Sequence, residues 1–438
     1  MDVFRARRAR LLASMTARGG GVAVIPTAPE RERNRGTFFP YRADSHFLYL
    51  CGFREPEAVL VLVADDSPRQ FLFCRARNDA QEIWTGHRYG PEAAAEHLGF
   101  DSAWAIDELD RKLPELLINR PALWTSLAVE PELEWDRRIL SAIRAVRARV
   151  RSGDTAPQTV HEISAVLDEM RLIKDEFEVT LMRRAGEISV AAHCRAMRAT
   201  GPDRFEYEIE AELLHAFRAA GSQYPAYPPI VASGPNACVL HYTDNDRRML
   251  DGELLLIDAG CEFDGYASDI TSTFPINGRF SGPQRDLYRL ALAANYAARA
   301  EVRPGNNWNA PHEAAVAVLT QGFIDLGLLE GNAQDLIETE TYRRFYMHRT
   351  GHWLGLDVHD AGQYKTDSQW RSFEPGMTLT IEPGCYVRPA DDVPEAFWNI
   401  GIRIEDNALV TPDGCEILTE GVPREIEDIE DLMRERDA

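Results

Sequence analysis

Two apolar strands that each run into a carboxylate constrain this 438-residue chain more than any other feature. Leu254-Leu255-Leu256-Ile257-Asp258-Ala259-Gly260 ends in Asp258, and Thr378-Leu379-Thr380-Ile381-Glu382-Pro383-Gly384 repeats the device with Glu382. A buried strand tolerates such a charge only where it is paired or coordinated, so each acid needs a cation nearby. Asp264-Gly265 makes a turn after the first strand, and the returning strand brings Asp269 alongside Asp258. The second strand is answered by Ile400-Gly401-Ile402-Arg403-Ile404-Glu405, which brings in Glu405. Singly, any of these acids reads as a turn former. Together, four acids converge from two hairpins. Like charges at close range raise one another's pKa, so the cluster stays ionised near neutral pH only if positive charge compensates it, and divalent metal is the natural solution. Oxygen-rich ligation with one imidazole suits manganese, cobalt, iron or zinc, and carboxylates can bridge two ions about 3.5 to 4 Å apart. The imidazole comes from residues 347–360, which carry His348, His352 and His359. His46, His87, His97, His161, His193, His215 and His312 read as surface or gap-filling residues and take no role.

Around this core the chain divides in two. Residues 21–25, 47–50, 58–63 and 71–74 read as strands, and 91–97 and 106–117 as helices, which predicts a compact α/β domain over residues 1–171. From 160 to 200 the pattern is helical, with Ile163, Val166, Leu167 and Met170 at helical spacing. Residues 172–438 then follow the order helix, strands near Ile230 and Leu240, hairpin, further helices, hairpin. Strands and helices mix without strict alternation, so the expectation is α+β with a mainly antiparallel sheet and two related halves facing each other. In the tail, Ile426, Ile429 and Met433 share one face of a capping helix.

Charge and cysteine usage narrow the partners. A formal net charge of −22 repels phosphate backbones, which excludes nucleic acid as the expected ligand. No apolar run approaches the roughly 20 residues needed to span a bilayer. Seven scattered cysteines without a Cys-x-x-Cys pair fit neither a disulfide framework nor a thiolate zinc site, so seven free thiols in a reducing cytoplasm are expected. Arg5, Arg7, Arg8, Arg10 and Arg18 invite comparison with an import presequence, but Phe4, Leu11, Leu12 and Met15 recur at helical spacing and predict an ordinary first helix.

Residues 256–273, 347–360, 380–386 and 401–406 resemble the metal-site blocks of aminopeptidase P, within the pita-bread metallopeptidases that also include prolidase, methionine aminopeptidase and creatinase. Phe39-Pro40-Tyr41-Arg42 and residues 52–58 are similar to that family's N-terminal domain. The resemblance implies a pita-bread catalytic domain behind a smaller creatinase-like domain, and a usually manganese-dependent enzyme releasing an N-terminal residue that precedes proline. By the same resemblance Asp258 and Asp269 hold one ion, Asp269 and Glu405 bridge to a second, and His352 and Glu382 complete it. Glu382 takes the proton of the attacking water, His359 and His348 support the tetrahedral intermediate and the proline side, His241 is a further active-site histidine, and Arg403 orients the acids. Tyr227, Tyr364 and Tyr386 match positions lining the family's site, while Trp84 and Arg151 match groups near the substrate, some from a neighbouring subunit of a dimer or tetramer.

Two positions depart from the pattern. Arg349 follows His348 where the family commonly has glycine, and near Ser368, where an arginine is usual, only Arg371 is at hand. Peptides with proline at the second position are the expected substrates. A prolidase limited to dipeptides is the alternative, and a catalytically silent binding module of the same fold the third reading. All five ligands are present, which argues against the last.

Overall fold

The computed structural model describes residues 2–128 and 133–435, and the chain divides into two compact units, Met1–Met170 and Arg171–Ala438. In the first unit, strands Ser102–Ala105, Arg69–Cys74, Val59–Ala64, Gly21–Pro26, Ala122–Thr125 and Thr159–Glu162 form one sheet in that spatial order. Its centre is antiparallel, with Val22 opposite Val63, and its outer pairs are parallel. Val22, Val24, Val59, Val61 and Val63 pack with Leu109, Leu113, Ile139 and Val146 of helices Leu109–Leu117 and Glu134–Arg147.

The first helix, Asp2–Ala17, buries Leu11, Leu12 and Met15 as its spacing predicts. Two of its arginines, Arg7 and Arg8, are buried, and Arg8 donates to the carbonyls of Leu50 at 3.0 Å and Leu98 at 2.9 Å. These carbonyls end helices Ser45–Cys51 and Gly90–Leu98, where no intrahelical partner exists. The strand expected over 47–50 is therefore the helix Ser45–Cys51. Asp44 caps it by accepting from Phe47 N–H, and Gly52 closes it at φ 67°; these caps outweigh an apolar run too short to show a period.

The second unit repeats one pattern. Helices Glu176–Ala199 and Glu206–Ala219 pack together ahead of a hairpin spanning 254–275, and helices Gly282–Glu301 and Ala310–Asp325 pack together ahead of a hairpin spanning 378–411. The sheets are small and antiparallel. Two expectations are corrected. Residues 159–162 are a strand, and the helical stretch after them breaks at Ile173–Asp175, where Asp175 and Glu178 form a capping box. Leu240 lies in a turn rather than a strand, because the tight helical turn Gly234–Cys238 ends the preceding strand. The tail helix Ile426–Arg434 buries Ile426, Ile429 and Met433. Among the described residues no helix is long and apolar enough to cross a membrane.

The first hairpin depends on a glycine. A Cβ on Gly260 would lie 1.7 Å from the Ser268 carbonyl oxygen. Gly260→Ala should destabilise the fold by about 3 kcal/mol or more, whereas Gly282→Ala, whose Cβ meets nothing within 4 Å, should change it by less than about 0.5 kcal/mol. Thermal midpoints of the two variants, measured side by side, check this.

Candidate metal centre

Each hairpin breaks its ladder where its acids sit. Asp258 pairs with Thr271 at the end of strands Leu254–Asp258 and Thr271–Pro275, and pairing resumes between Cys261–Phe263 and Tyr266–Ala267. Asp264 at φ 51° and Gly265 at φ 93° make the expected turn at the tip. Asp269 lies in the break, opposite Gly260 and two positions before Thr271, the partner of Asp258. In the second hairpin Ile381 pairs with Asp406 and Gly384 with Arg403, leaving Glu382 and Glu405 in the facing breaks. A polar side chain from a helix behind pins each break. His193 contacts the Ala259 carbonyl at 2.9 Å and Ser272 Oγ at 3.0 Å, and Asn295 Nδ2 donates to the carbonyls of Ile381 and Ile404 at 3.2 and 3.1 Å.

The two breaks are stitched to each other. Glu405 N–H donates to the Thr271 carbonyl at 3.1 Å, and the Asn407 side chain bonds both the N–H and the carbonyl of Asp269. Thr271 Oγ1 donates to Glu405 Oε2 at 2.7 Å. The result is one ligand set: carboxylate oxygens of Asp269 and Glu405 and a ring nitrogen of His352 lie within 4.8 Å of one another. His352 Nε2 is 3.4 Å from Asp269 Oδ2 and 3.7 Å from Glu382 Oε1. Its Nδ1–H donates to its neighbour's carbonyl, Trp353 O, at 3.0 Å, which fixes the ring and turns Nε2 toward the acids. Tyr227 Oη donates to Asp258 Oδ1 at 2.6 Å and also bonds Asp269 Oδ1. Arg403 Nη2 donates to Asp258 Oδ2 at 2.6 Å, and its Nε reaches Thr271 Oγ1 at 3.0 Å.

The electrostatics follow from this crowding. Loss of solvent pushes Glu405 well above the ordinary carboxylate range, and Asp269, Glu382 and Asp258 add to it. Loss of solvent also lifts Glu382 to about 7, against the opposing pull of His352 and Arg403. Burial would lower His352, but its hydrogen bond to Asp269 and the charges of Glu382 and Asp269 raise it to about 9. Asp269, despite burial, is held below its usual value by His352 and Tyr227. Protons thus stand where cations are wanted. Four carboxylates, one oriented imidazole nitrogen and only one buried guanidinium among them fit a pair of divalent cations.

A cavity of about 680 Å³ collects the expected ligands with Tyr227, His241, His348, His359 and Arg403. Tyr364 and Tyr386 are not in its lining; they hold the wall from behind. Tyr386 Oη bridges His348 Nε2 at 2.8 Å and Arg403 Nη1 at 3.0 Å, while Tyr364 Oη accepts from Trp353 N–H at 3.2 Å and its ring stacks on Trp353. Trp84 and Arg151 belong to the first unit and are exposed, on helix Asp79–Thr85 and in the turn Val150–Ser152. Sequence reasoning missed Thr271 and Asn407, though Thr271 stands two positions beyond Asp269 in the same returning segment and so faces the same way. It also passed over His312, which bonds Thr350 Oγ1 at 2.8 Å beside Tyr346, and over buried Asp360, held by Lys174 at 2.8 Å and Arg171 at 2.5 Å behind the His359 segment.

Residues 180–412 match the model of metallopeptidase family M24, and residues 4–124 that of the aminopeptidase P N-terminal domain. A Xaa-Pro aminopeptidase of Haemophilus influenzae is 45% identical over 99% of this chain and 97% of its own length. Among solved structures, aminopeptidase PepP of Pseudomonas aeruginosa superposes with a TM-score of 0.96 at 46% identity, covering 99% of this chain and 98% of its own. A zinc-substituted aminopeptidase P of Escherichia coli in complex with product gives 0.96 at 43% identity, covering 99% of this chain and 98% of its own.

Because Glu405, Glu382 and His352 hold protons in the metal-free protein, cation uptake must expel them. Metal affinity should therefore fall as pH drops from 8 to 6, with net proton release on binding at pH 6.5. Calorimetric titration with Mn2+ in buffers of different ionisation enthalpy measures that release directly, and none at all would contradict the assigned ligands.

Proposed function

The chain belongs to metallopeptidase family M24 and acts as an Xaa-Pro aminopeptidase, releasing the N-terminal residue of peptides whose second residue is proline; we propose that it does so with two divalent ions, manganese by preference. The observation that carries this reading is the convergence of Asp258, Asp269, Glu382 and Glu405 with His352 Nε2 on one cavity. In this reading Asp258 and Asp269 would hold one ion and His352 and Glu382 the other, with Asp269 and Glu405 shared between them. When bound, the ions supply Lewis acidity and lower the pKa of water.

The chain's own groups do the rest. Glu382, with Thr380 Oγ1 at 3.4 Å behind it, takes the proton of the attacking water and returns it to the proline nitrogen as the scissile bond breaks. His359 is kept neutral first by burial and then by nearby His352, whose ring centroid is 4.2 Å away, so it offers an N–H to the developing oxyanion. His348 is also neutral by burial; its Nδ1–H donates to the Arg349 carbonyl at 2.7 Å, and it presents its ring to the proline side. His241 completes the wall, and Arg403 aligns Asp258 directly and Glu405 through Thr271. A proline nitrogen has no N–H, so a site for X-Pro bonds needs shape there in place of a hydrogen bond.

We assign residues 1–171 to a creatinase-like N-terminal domain and 172–438 to the catalytic pita-bread domain. The enzyme works as a homo-oligomer, dimer or tetramer, in which Trp84 and Arg151 approach substrate, and its compartment is the cytoplasm. Seven unpaired cysteines support a reducing compartment.

A chelator should abolish activity, and Mn2+ should restore it. Glu405→Ala and Asp269→Ala should retain fewer ions by elemental analysis than Asp258→Ala, since a bridging ligand serves both. His359→Ala should keep both ions while turnover drops roughly 100- to 1000-fold. X-Pro-Y tripeptides should be cleaved at least as efficiently as X-Pro dipeptides. Hydrolysis of Gly-Pro with no cleavage of any tripeptide would overturn the reading in favour of a prolidase.

A further inference from the structure

Two arginines line the cavity, and they differ in what occupies them. Arg403 is buried and committed to Asp258, Tyr386 and Thr271. Arg349 is exposed at the rim. One of its five N–H donors is given to Asn309 Oδ1, and its guanidinium lies 5.0 Å from the centroid of the Trp370 ring. The Lys365 ammonium lies 4.1 Å from the same ring, so a second cation adjoins it. Asn309, just ahead of helix Ala310–Asp325, and Trp370 hold the guanidinium in place while leaving donors for a ligand.

The position of Arg349 indicates which part of a substrate it meets. A peptide's amino terminus is drawn to the acids, so its carboxyl side runs outward to the rim. Arg349 directly follows His348, the residue placed on the proline side. On a chain of net charge −22 an incoming carboxylate favours a local cation over the rest of the surface. Guanidinium is the side chain whose paired donors match a carboxylate.

We propose that Arg349 is a specificity-determining residue that receives a carboxylate on the leaving-group side of the scissile bond, an inference that rests on the X-Pro aminopeptidase reading. The carboxylate is the free C-terminus of a short peptide or an acidic side chain following proline. In the unaltered, metal-loaded enzyme, kcat/KM for Ala-Pro-Ala should exceed that for its C-terminal amide roughly tenfold, the scale of one charged hydrogen bond, and the ratio should narrow with salt. In Arg349→Ala the ratio should fall to about one, and Arg349→Lys should keep part of it. Ala-Pro-Asp amide separates the sources: efficiency matching Ala-Pro-Ala supports the side-chain carboxylate, and efficiency matching Ala-Pro-Ala amide supports the terminus. An acid-to-amide ratio near one in the unaltered enzyme together with no advantage of Ala-Pro-Asp amide over Ala-Pro-Ala amide, or preferences unchanged in Arg349→Ala, would overturn the proposal. Calorimetry of the product Pro-Ala against Pro-Ala amide, in the unaltered protein and Arg349→Ala, gives the same comparison without turnover. If no X-Pro peptide is hydrolysed, the reaction assignment fails, and the calorimetric preference for the acid still decides the role of Arg349.

Discussion

Asp258, Asp269, Glu382 and Glu405 share one space with a single buried guanidinium, and removing that many like charges from water costs far more than Arg403 alone repays. The surroundings answer with donors. Tyr227 serves Asp258 and Asp269, Thr271 serves Glu405, and Thr380 reaches Glu382. Behind them Arg424 gives its guanidinium to the Glu405 carbonyl, at 2.5 Å, and to Asp406 Oδ1, at 2.7 Å. Even so, protons remain on groups that would ordinarily lose them. The site is an anionic cage whose donor network satisfies its orientation and leaves its charge outstanding.

The cage requires interrupted strands. In a continuous ladder each acid would point up or down with the pleat and its backbone groups would be paired. Asp258 stays in the ladder opposite Thr271, while Asp269, Glu382 and Glu405 sit where the two hairpins break, and the breaks leave main-chain carbonyls to be met from outside the sheet. His193 and Asn295, one from each central helix, meet the carbonyls of Ala259, Ile381 and Ile404. A buried polar residue inside a helix is usually unfavourable, and here it supplies what the broken sheet lacks.

This explains what the sequence disclosed. The four acids were legible because a charge at the end of an apolar strand is an anomaly that needs a partner, and the Asp264-Gly265 turn sets the register of Asp258 and Asp269. The antiparallel halves followed from the repeated order of helices and hairpin. His193 read as a gap filler because a single histidine in a helix carries no period or spacing. Tyr364 and Tyr386 resemble lining residues, and their hydroxyls bond Trp353, His348 and Arg403 in the wall, contacts that no sequence pattern records. The helix Ser45–Cys51 was misread as a strand because its signal lay in the flanking Asp44 and Gly52, outside the apolar run. The metal identity and the assembly state depend on groups beyond the chain itself.

The stitches between the two breaks also bear on how the protein fluctuates. Local opening normally begins where backbone groups are exposed and loosely packed. Here the amides of Asp269 and Glu405 are bonded across the junction of the two halves, to Asn407 and to Thr271, and both residues are buried. Neither half can fray at this seam without releasing the other. The acidic residues, which repel one another most, therefore occupy the part of the second unit whose opening approaches global unfolding, and slow amide exchange would mark the site as its most cooperative element.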